Sequence, residues 1–203
     1  MMSPIILATN NPYKVAEIAP IMNRAGLVTQ CQADFFNEEV VEDELSFVEN
    51  ALKKARFASE RTGLPALGDD SGLEVNALGG RPGLFSARYA GGEQKPSDEE
   101  NLKKLLNDMT QLPYPQRQAR YSCAVVYVEN AQDPMPLIGI GHWYGEILMR
   151  PRTGAGIGYD DVFWIPKLLK SVSEIPFELK NQISHRARAV QSVVQQLTER
   201  GGR

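Results

Sequence analysis

Cysteine is scarce in this chain of 203 residues. The two cysteines, Cys31 and Cys123, lack the spacing of a metal-binding pair, and no CxxC motif occurs. A disulfide scaffold and a zinc finger both need more thiols at closer spacing, so the sequence argues against either. We expect both thiols to be free and reduced, which is typical of cytosolic proteins.

Long apolar runs, a leader sequence and an excess of positive charge are also missing. No apolar run approaches the roughly 20 residues of a membrane span, and residues 1–4 lack the basic and apolar regions of a signal peptide. We therefore expect a cytoplasmic protein without a membrane partner. The formal net charge of -3 argues against a nucleic-acid partner, because nonspecific nucleic-acid binders are usually basic.

What the sequence does contain is an alternation of strand-like and helix-like segments, which predicts an α/β fold. Residues 4–9, 27–31, 119–129 and 136–148 are predicted strands, the last two as antiparallel neighbours. Helices are predicted after an N-cap at Asn10 or Asn11, from the Ser46–Glu49 capping box to Gly63, from the Ser97–Glu100 capping box to about Met109, and from Ser184 to about Glu199. We expect a single domain over residues 1–203.

The segment TNNPYK, residues 9–14, joins the first strand to the first helix. A loop that opens a helix presents unpaired N–H groups and the positive end of the helix dipole, and both favour an anion. Thr9, Asn10 and Asn11 add polar side chains, and Lys14 is able to reach back to a phosphate. A capped helix start with a solvated lysine is the alternative reading.

Two adjacent aspartates, Asp69 and Asp70, lie between the short apolar segments PALG and LEVNAL, which are predicted as two separate strands. Adjacent carboxylates repel, and a divalent cation would relieve this repulsion and allow one of them to deprotonate water. In the alternative reading, Asp69 caps backbone N–H groups in a turn and Asp70 is solvated. The residues alone favour neither reading.

Two further segments have the composition of ligand sites. In GAGIGYDD, residues 154–161, three glycines allow a ligand to approach the backbone, and Asp160 is able to read a base edge. In KNQISHRA, residues 180–187, the triplet Ser184, His185 and Arg186 opens the last helix. A plain connecting loop and a solvated cap are the alternatives. Taken together, these segments indicate a site for a nucleoside triphosphate and Mg²⁺.

The same segments also resemble a known family. ATNNPYK, SFVENALKKA, LGDDSGLEVNALGGRPGLFSARYAG, GIGYDDVF and ISHRARA occur in the order and spacing of the inosine triphosphate pyrophosphatase family, from about residue 5 to residue 197. The resemblance implies an α/β fold with a long, mixed, twisted sheet flanked by helices, and two lobes around a central cleft. It also implies a homodimer that uses Mg²⁺ to hydrolyse ITP, dITP or XTP to the monophosphate and pyrophosphate.

The resemblance also assigns roles to individual residues. Asp70 would be the base for the attacking water and would share the metal with Glu42. The phosphates would contact Thr9, Asn10, Asn11, Lys14 and Lys54, Ser71 would touch the substrate, and the purine pocket would consist of Ile157, Gly158, Tyr159, Asp160, Lys180, His185 and Arg186.

Two positions depart from the family pattern. Ile157 stands where the family usually has a phenylalanine, and Asp161 stands where it usually has a proline. We expect these changes to weaken base binding without abolishing the chemistry, since the phosphate and metal positions are intact. The alternative functions are a related dTTP/UTP pyrophosphatase, a nonhydrolytic nucleotide-binding regulator and a Mg²⁺-dependent phosphomonoesterase.

Overall fold

The structure is a computed structural model that describes residues 3–152 and 156–201. Its strands are β1 Ile5–Leu7, β2 Thr29–Cys31, β3 Ala66–Val75, β4 Gln118–Val128, β5 Leu137–Ile147, β6 Phe163–Ile165 and β7 Lys170–Ser171. Its α-helices are α1 Pro12–Arg24, α2 Phe47–Thr62, α3 Asp98–Asp108, α4 Phe177–Ile183 and α5 His185–Gly201.

The strands form a mixed sheet in the order β2-β1-β3-β4-β5-β6-β7. Strand β1 pairs in parallel with β2 and β3, whereas β6 pairs antiparallel with β5 and β7. This arrangement confirms the predicted α/β class with a long mixed sheet. No helix in the described part of the chain is long and apolar enough to cross a membrane.

The chain folds into two compact units made of discontinuous segments. The first unit contains the chain up to Ser71, Cys123–His142 and the chain from Asn181 onward, and the second contains Gly72–Ser122 and Trp143–Lys180. Strands β3, β4 and β5 contribute residues to both units. That residues 1–203 count as one domain stays a prediction.

The core of the first unit follows the two-residue period of its strands. Ile5 and Leu7 of β1 pack with apolar residues of α1 and α5, whereas Ile6 between them packs with the alanines of α2. Side chains of a strand alternate between the two faces of the sheet. Both faces of β1 are therefore covered by helices, which explains why its sequence is apolar at every position.

Three glycines bring helices into direct contact with strands in the first unit. A Cβ atom at Gly68 would lie 2.2 Å from the Ala51 carbonyl oxygen of α2. Cβ atoms at Gly139 and Gly141 of β5 would lie 2.1 and 2.0 Å from carbonyl oxygens of α5. No side chain fits at these positions, so the glycines fix how closely α2 and α5 approach the sheet.

The second unit has an aromatic core and a buried arginine. The ring of Phe163 packs against Tyr121 and Trp143, with centroid separations of 4.6 and 6.3 Å. The guanidinium of Arg117 is buried and donates to the carbonyl oxygens of Ile147, Leu148, Met109 and Leu112. These bonds tie the segment after α3 to the end of β5.

Most predicted elements are present with small shifts at their ends. Asn11 is the N-cap of α1, Ser46 caps α2, and Ser97 and Glu100 form the capping box of α3. Strands β4 and β5 are neighbours in the sheet, as predicted. The short helix α4 and the 3-10 helix Gly83–Arg88 were not predicted.

One prediction about the aspartate pair was wrong. The sequence placed Asp69 and Asp70 at a strand end followed by a second strand, but β3 runs unbroken from Ala66 to Val75 with both aspartates in its middle and buried. Burying two carboxylates inside a strand is tolerated only when other charged groups compensate them. Those groups come from distant helices, so the local pattern of the sequence does not reveal them.

Candidate active site

The loop before α1 is built by its own polar side chains. The hydroxyl of Thr9 accepts a hydrogen bond from the Asn11 amide at 3.1 Å, and the Asn11 side chain accepts one from the Tyr13 amide at 2.9 Å. The Asn10 side chain donates to the Asn37 carbonyl at 2.9 Å. These contacts fix the start of α1 and occupy the Asn11 and Tyr13 amides, so an anion there would be favoured by the positive end of the helix dipole.

Asp69 is the most deeply buried of the carboxylates near this loop. Its Oδ2 atom lies 3.1 Å from Lys14 Nζ and 3.1 Å from Arg186 Nε. Burial alone would raise the pKa of Asp69, but the charges of Lys14, Arg186 and Lys54 outweigh it and hold the pKa well below its ordinary value. Asp69 therefore stays ionised as a fixed negative charge.

Arg186 contacts three acceptors of the first unit. Besides Asp69, its guanidinium forms an ion pair with Glu17 of α1 and donates to Ser71 Oγ at 2.9 Å. Burial would lower the pKa of Arg186, but Asp69 and Glu17 raise it, so the guanidinium stays charged. The residue was predicted in the purine pocket; within the first unit it joins α5 to α1 and β3.

Asp70 has a different environment from its neighbour. Its Oδ2 atom accepts from the Asn50 side chain at 3.0 Å, and its Oδ1 atom accepts from the Ser71 amide at 2.8 Å. Burial raises the pKa of Asp70, and Glu42 raises it further against the opposing charge of Lys54. A raised pKa makes this carboxylate a stronger base than an ordinary aspartate.

Lys54 and Glu42 complete the group of charges. Lys54 Nζ lies 2.9 Å from Glu42 Oε1. Burial would lower the pKa of Lys54, but the carboxylates of Asp69, Glu42 and Asp70 raise it. We call Glu42, Asp69 and Asp70, together with Lys14, Lys54 and Arg186, the carboxylate site.

The acidic segment before α2 divides its contacts in a way that singles out Glu42. Glu38 pairs with Arg61 at the surface, and Asp43 and Glu44 pair with Lys53. Glu42 instead reaches Lys54 of the carboxylate site. These contacts support the choice of Glu42, which the sequence made only by resemblance.

The glycine contacts of the fold position this site. Gly68 precedes Asp69, and its contact with α2 brings Asn50 and Lys54, one helical turn apart, to the aspartates. Gly141 lies against the carbonyl oxygen of His185, which is buried at the first position of α5. Helix α2 is thereby held with Asn50 and Lys54 facing the aspartates, and α5 is held with His185 and Arg186 in its first turn.

The predicted purine loop lies in the second unit. The Gly158 amide donates to Asp98 Oδ2 at 2.8 Å, and the Tyr159 hydroxyl donates to the Ser86 carbonyl at 2.8 Å. Ile157 is 38% exposed, so its side chain is accessible to a ligand. Gly154 and Ala155, at the start of the predicted loop, lie outside the described residues.

Asp160 is the buried acidic residue of this loop. Its Oδ2 atom lies 2.8 Å from Lys180 Nζ, and its Oδ1 atom accepts from the Tyr121 hydroxyl at 3.3 Å. We call Ile157–Asp160, Lys180 and Tyr121 the loop site.

The predicted site residues thus divide between the units. Those in the first unit are Thr9, Asn10, Asn11, Lys14, Glu42, Lys54, Asp70, Ser71, His185 and Arg186, and those in the second are Ile157, Gly158, Tyr159, Asp160 and Lys180.

Sequence reasoning missed Glu17, Asn50 and Tyr121. Glu17 and Asn50 follow helical spacing from residues that were chosen, three positions after Lys14 and four before Lys54. That spacing places each pair on one helix face and was a usable signal. Tyr121 had no such signal, since it lies in an apolar strand 39 positions before Asp160.

The described residues contain no group of three or more His, Cys, Asp or Glu side chains arranged for a metal ion. Mg²⁺ does not require one, since it is usually held by one or two carboxylates together with substrate phosphates and water. Asp69 Oδ1 is buried and has no hydrogen-bond partner among the described residues. The carboxylate site also carries more acidic than basic side chains once Glu17 is included, so it fits a divalent cation.

Three comparisons place the chain among known proteins. The model of the Ham1 family matches residues 5–196. A dITP/XTP pyrophosphatase of Yersinia pseudotuberculosis is 45% identical over 98% of this chain and 100% of its own length, and one of Escherichia coli K12 is 43% identical over 97% and 98%. A solved structure of a HAM1 protein from Coxiella burnetii is 40% identical, covers 98% of this chain and 100% of its own, and has a TM-score of 0.88.

Proposed function

Because this chain belongs to the Ham1 family, we propose that it hydrolyses the deaminated purine triphosphates ITP, dITP and XTP to the monophosphate and pyrophosphate. The observation that carries this proposal is the buried pair of Asp69 and Asp70, which the fold surrounds with Lys14, Lys54 and Arg186. Such a site offers carboxylates to a divalent cation, cations to the phosphates and a base beside them. The relatives named dITP/XTP pyrophosphatase support the choice of substrate.

Asp70 is the base in this reaction. It takes a proton from a water molecule, whose oxygen attacks the α-phosphorus, and the bond from that phosphorus to the bridging oxygen of the β-phosphate breaks. Pyrophosphate leaves with the electron pair of that bond. Asn50 and the Ser71 amide orient the Asp70 carboxylate, and Lys14 and Lys54 stabilise the charge that develops on the leaving group.

The start of α1 binds phosphate oxygens. The loop of Thr9, Asn10 and Asn11 is held in place by hydrogen bonds, so its polar side chains and the positive end of the α1 dipole meet the phosphates without rearrangement. Ser71 contacts the substrate beside Asp70. Preorganised donors lower the reaction barrier because they need not reorient when charge develops.

Glu42 and Asp70 are the proposed ligands of Mg²⁺, together with phosphate oxygens of the substrate. Glu42 raises the pKa of Asp70 and pairs with Lys54. These interactions support a shared role of Glu42 and Asp70 as metal ligands. When bound, the ion supplies charge stabilisation to the transferred phosphoryl group. Asp69, held by Lys14 and Arg186, contributes fixed negative charge.

The purine is recognised by hydrogen bonds that differ between 6-oxo and 6-amino bases. Asp160 and Lys180 in the loop site provide an acceptor and a donor. Adenine carries a donor at position 6 and would leave buried donors unpaired, which is costly. Ile157 and Asp161, which replace the usual phenylalanine and proline, weaken base binding in this proposal.

We also propose that the protein is a cytoplasmic homodimer and that its small-molecule partner is the nucleoside triphosphate substrate. The resemblance to the inosine triphosphate pyrophosphatase family supports the homodimer, and the free cysteines Cys31 and Cys123 support the cytoplasm.

The experiment separates the products of XTP, ITP, dITP, GTP and ATP by anion-exchange chromatography, with Mg²⁺ and with EDTA. We expect monophosphate and pyrophosphate in equal amounts from the first three, and none once EDTA is added. Asp70→Asn should lose at least about 10³-fold in kcat, because the base contributes 10² to 10⁴ and the metal ligand more. The variant should keep the wild-type melting temperature within a few degrees.

The control is Asp34→Asn, since Asp34 is an exposed aspartate of the same unit whose carboxylate accepts a backbone bond from Cys31. This variant should keep wild-type turnover.

Nucleoside diphosphate or orthophosphate as product would contradict the proposed cleavage. Turnover of dTTP or UTP in preference to ITP would indicate a related dTTP/UTP pyrophosphatase instead. Undiminished activity of Asp70→Asn would remove Asp70 as base and ligand.

A further inference from the structure

Tyr121 of β4 is a buried residue of the second unit, and the proposed chemistry does not use it. Its ring packs against Phe163 with a centroid separation of 4.6 Å. Its hydroxyl donates to Oδ1 of Asp160 at 3.3 Å. The ring therefore has a structural partner, and the hydroxyl has a functional one.

The carboxylate of Asp160 is held on both of its oxygens. Tyr121 donates to Oδ1, and Lys180 Nζ lies 2.8 Å from Oδ2. The backbone of Asp160 is fixed as well, because its amide donates to the Ile157 carbonyl and its carbonyl accepts from the Ser173 amide, both at 3.2 Å. Two donors on different oxygens and a fixed backbone set the plane of this carboxylate.

An oriented carboxylate is able to distinguish purines by their N1 position. A carboxylate offers about four acceptor positions, and Tyr121 and Lys180 each use one of them. Hypoxanthine, xanthine and guanine carry a hydrogen on N1, whereas N1 of adenine is an acceptor. An acceptor aimed at N1–H favours the first group and repels the lone pair of adenine.

We propose that Tyr121 is a positioning residue that orients Asp160 as the acceptor for N1–H and thereby sets the preference of the loop site for 6-oxopurines. Tyr121 acts through Asp160 and does not itself touch the ligand. This inference rests on the proposed function, because it assumes that Asp160 binds the base. Packing against Phe163 needs only the ring of Tyr121, so packing does not account for its hydroxyl.

The test is Tyr121→Phe, which removes the hydroxyl and keeps the ring against Phe163. Calorimetric titration with IMP and with AMP measures base binding without turnover. We expect the affinity for IMP to fall about fivefold to tenfold, as for the loss of one hydrogen bond to a charged group at the long end of the distance range, with the affinity for AMP unchanged. For ITP hydrolysis, KM should rise by a similar factor and kcat should stay unchanged.

Tyr127→Phe is the matched control. Tyr127 is a buried tyrosine of the same strand, and its hydroxyl donates to Glu129 at 2.6 Å. Its loss should cost similar stability and leave the ratio of IMP to AMP affinity at the wild-type value. A second control is the cycle with Asp160→Asn, in which Tyr121→Phe should have no further effect on that ratio.

The outcomes separate this inference from the proposed function. If the ratio of IMP to AMP affinity falls in Tyr121→Phe and stays at the wild-type value in Tyr127→Phe, the positioning role is supported. This holds even if the wild type cleaves no triphosphate. An unchanged ratio overturns it even if the wild type hydrolyses ITP to pyrophosphate. Equal binding of IMP and AMP by the wild type also overturns it, as does an effect of Tyr121→Phe that persists in full beside Asp160→Asn.

Discussion

Replacing Arg186 with methionine tests the charge arrangement of the carboxylate site. Methionine keeps much of the apolar volume of the side chain and removes the guanidinium. Asp69 and Glu17 then lose a buried ion-pair partner, and Ser71 loses a donor. Both carboxylates are almost fully buried, at 1% and 6% residual exposure, so solvent does not replace the lost charge.

The expected loss of stability is about 3–5 kcal/mol, as for breaking a buried ion pair from one side. For a chain of this length, that corresponds to a fall in melting temperature of roughly 6–20 °C. Lys14 remains beside Asp69 at 3.1 Å, which places the expected value toward the lower end of the range. The control is Arg188→Met, an exposed arginine of the same helix that donates to the His142 carbonyl, with an expected loss below about 1 kcal/mol.

The loss should depend on pH in a defined direction. In the wild type, the pKa of Asp69 is lowered, so its stabilisation is complete above the unfolded pKa of about 3.9 and is lost as the pH falls through the lower folded value. Without Arg186 that pKa rises, and Asp69 takes up a proton at higher pH. The difference in unfolding free energy between wild type and variant should therefore keep its full value from neutral pH to about pH 4 and shrink as the pH falls below about 4.

Urea unfolding followed by circular dichroism at several pH values, from neutral to about pH 3, measures this difference. A deficit for Arg186→Met no larger than that for Arg188→Met would refute the reasoning, because it would mean that the buried carboxylates do not need the guanidinium. A deficit that grows on acidification would refute the assigned sign of the pKa shift.

Two further predictions concern the geometry around the sites. Gly68→Ala places a Cβ atom 2.2 Å from the Ala51 carbonyl oxygen, so α2 must shift. We expect thermal melting to show a stability loss of about 1–3 kcal/mol and ITP turnover to show at least tenfold lower kcat/KM. Wild-type values in both assays would contradict the close packing. Ile157→Phe adds an aromatic ring at a partly exposed position of the loop site. The ring should stack on the base and lower KM for ITP about twofold to tenfold. An unchanged KM would mean that this position does not contact the base.

The sequence predicted the fold largely because its signals are local. The caps Asn11, Ser46 and Ser97 are recognised from residues within one helical turn, and the apolar period of β1 and β4 predicts strands. The unbroken β3 was missed because its two central aspartates look like a turn. The cations Lys14, Lys54 and Arg186, which come from three different helices, compensate the two aspartates inside that strand.

The same contrast applies to the sites. Lys14, Asp70 and His185 were predicted as site residues because each lies in a short segment with a recognisable composition. The link between Tyr121 and Asp160 was not found, because it joins two segments that only the folded chain brings together. Sequence patterns report contacts along a helix or within a loop, whereas pairings across a sheet depend on topology.

The central claim is cleavage between the α- and β-phosphates of a deaminated purine triphosphate. The most direct test is a colorimetric phosphate assay of ITP and of ATP with Mg²⁺, run with and without added inorganic pyrophosphatase. We predict phosphate from ITP only when pyrophosphatase is present, and little from ATP in either case. Phosphate from ITP without pyrophosphatase would contradict the claim and indicate a phosphatase. No phosphate from ITP with or without pyrophosphatase would also contradict it and indicate a nucleotide-binding protein without turnover.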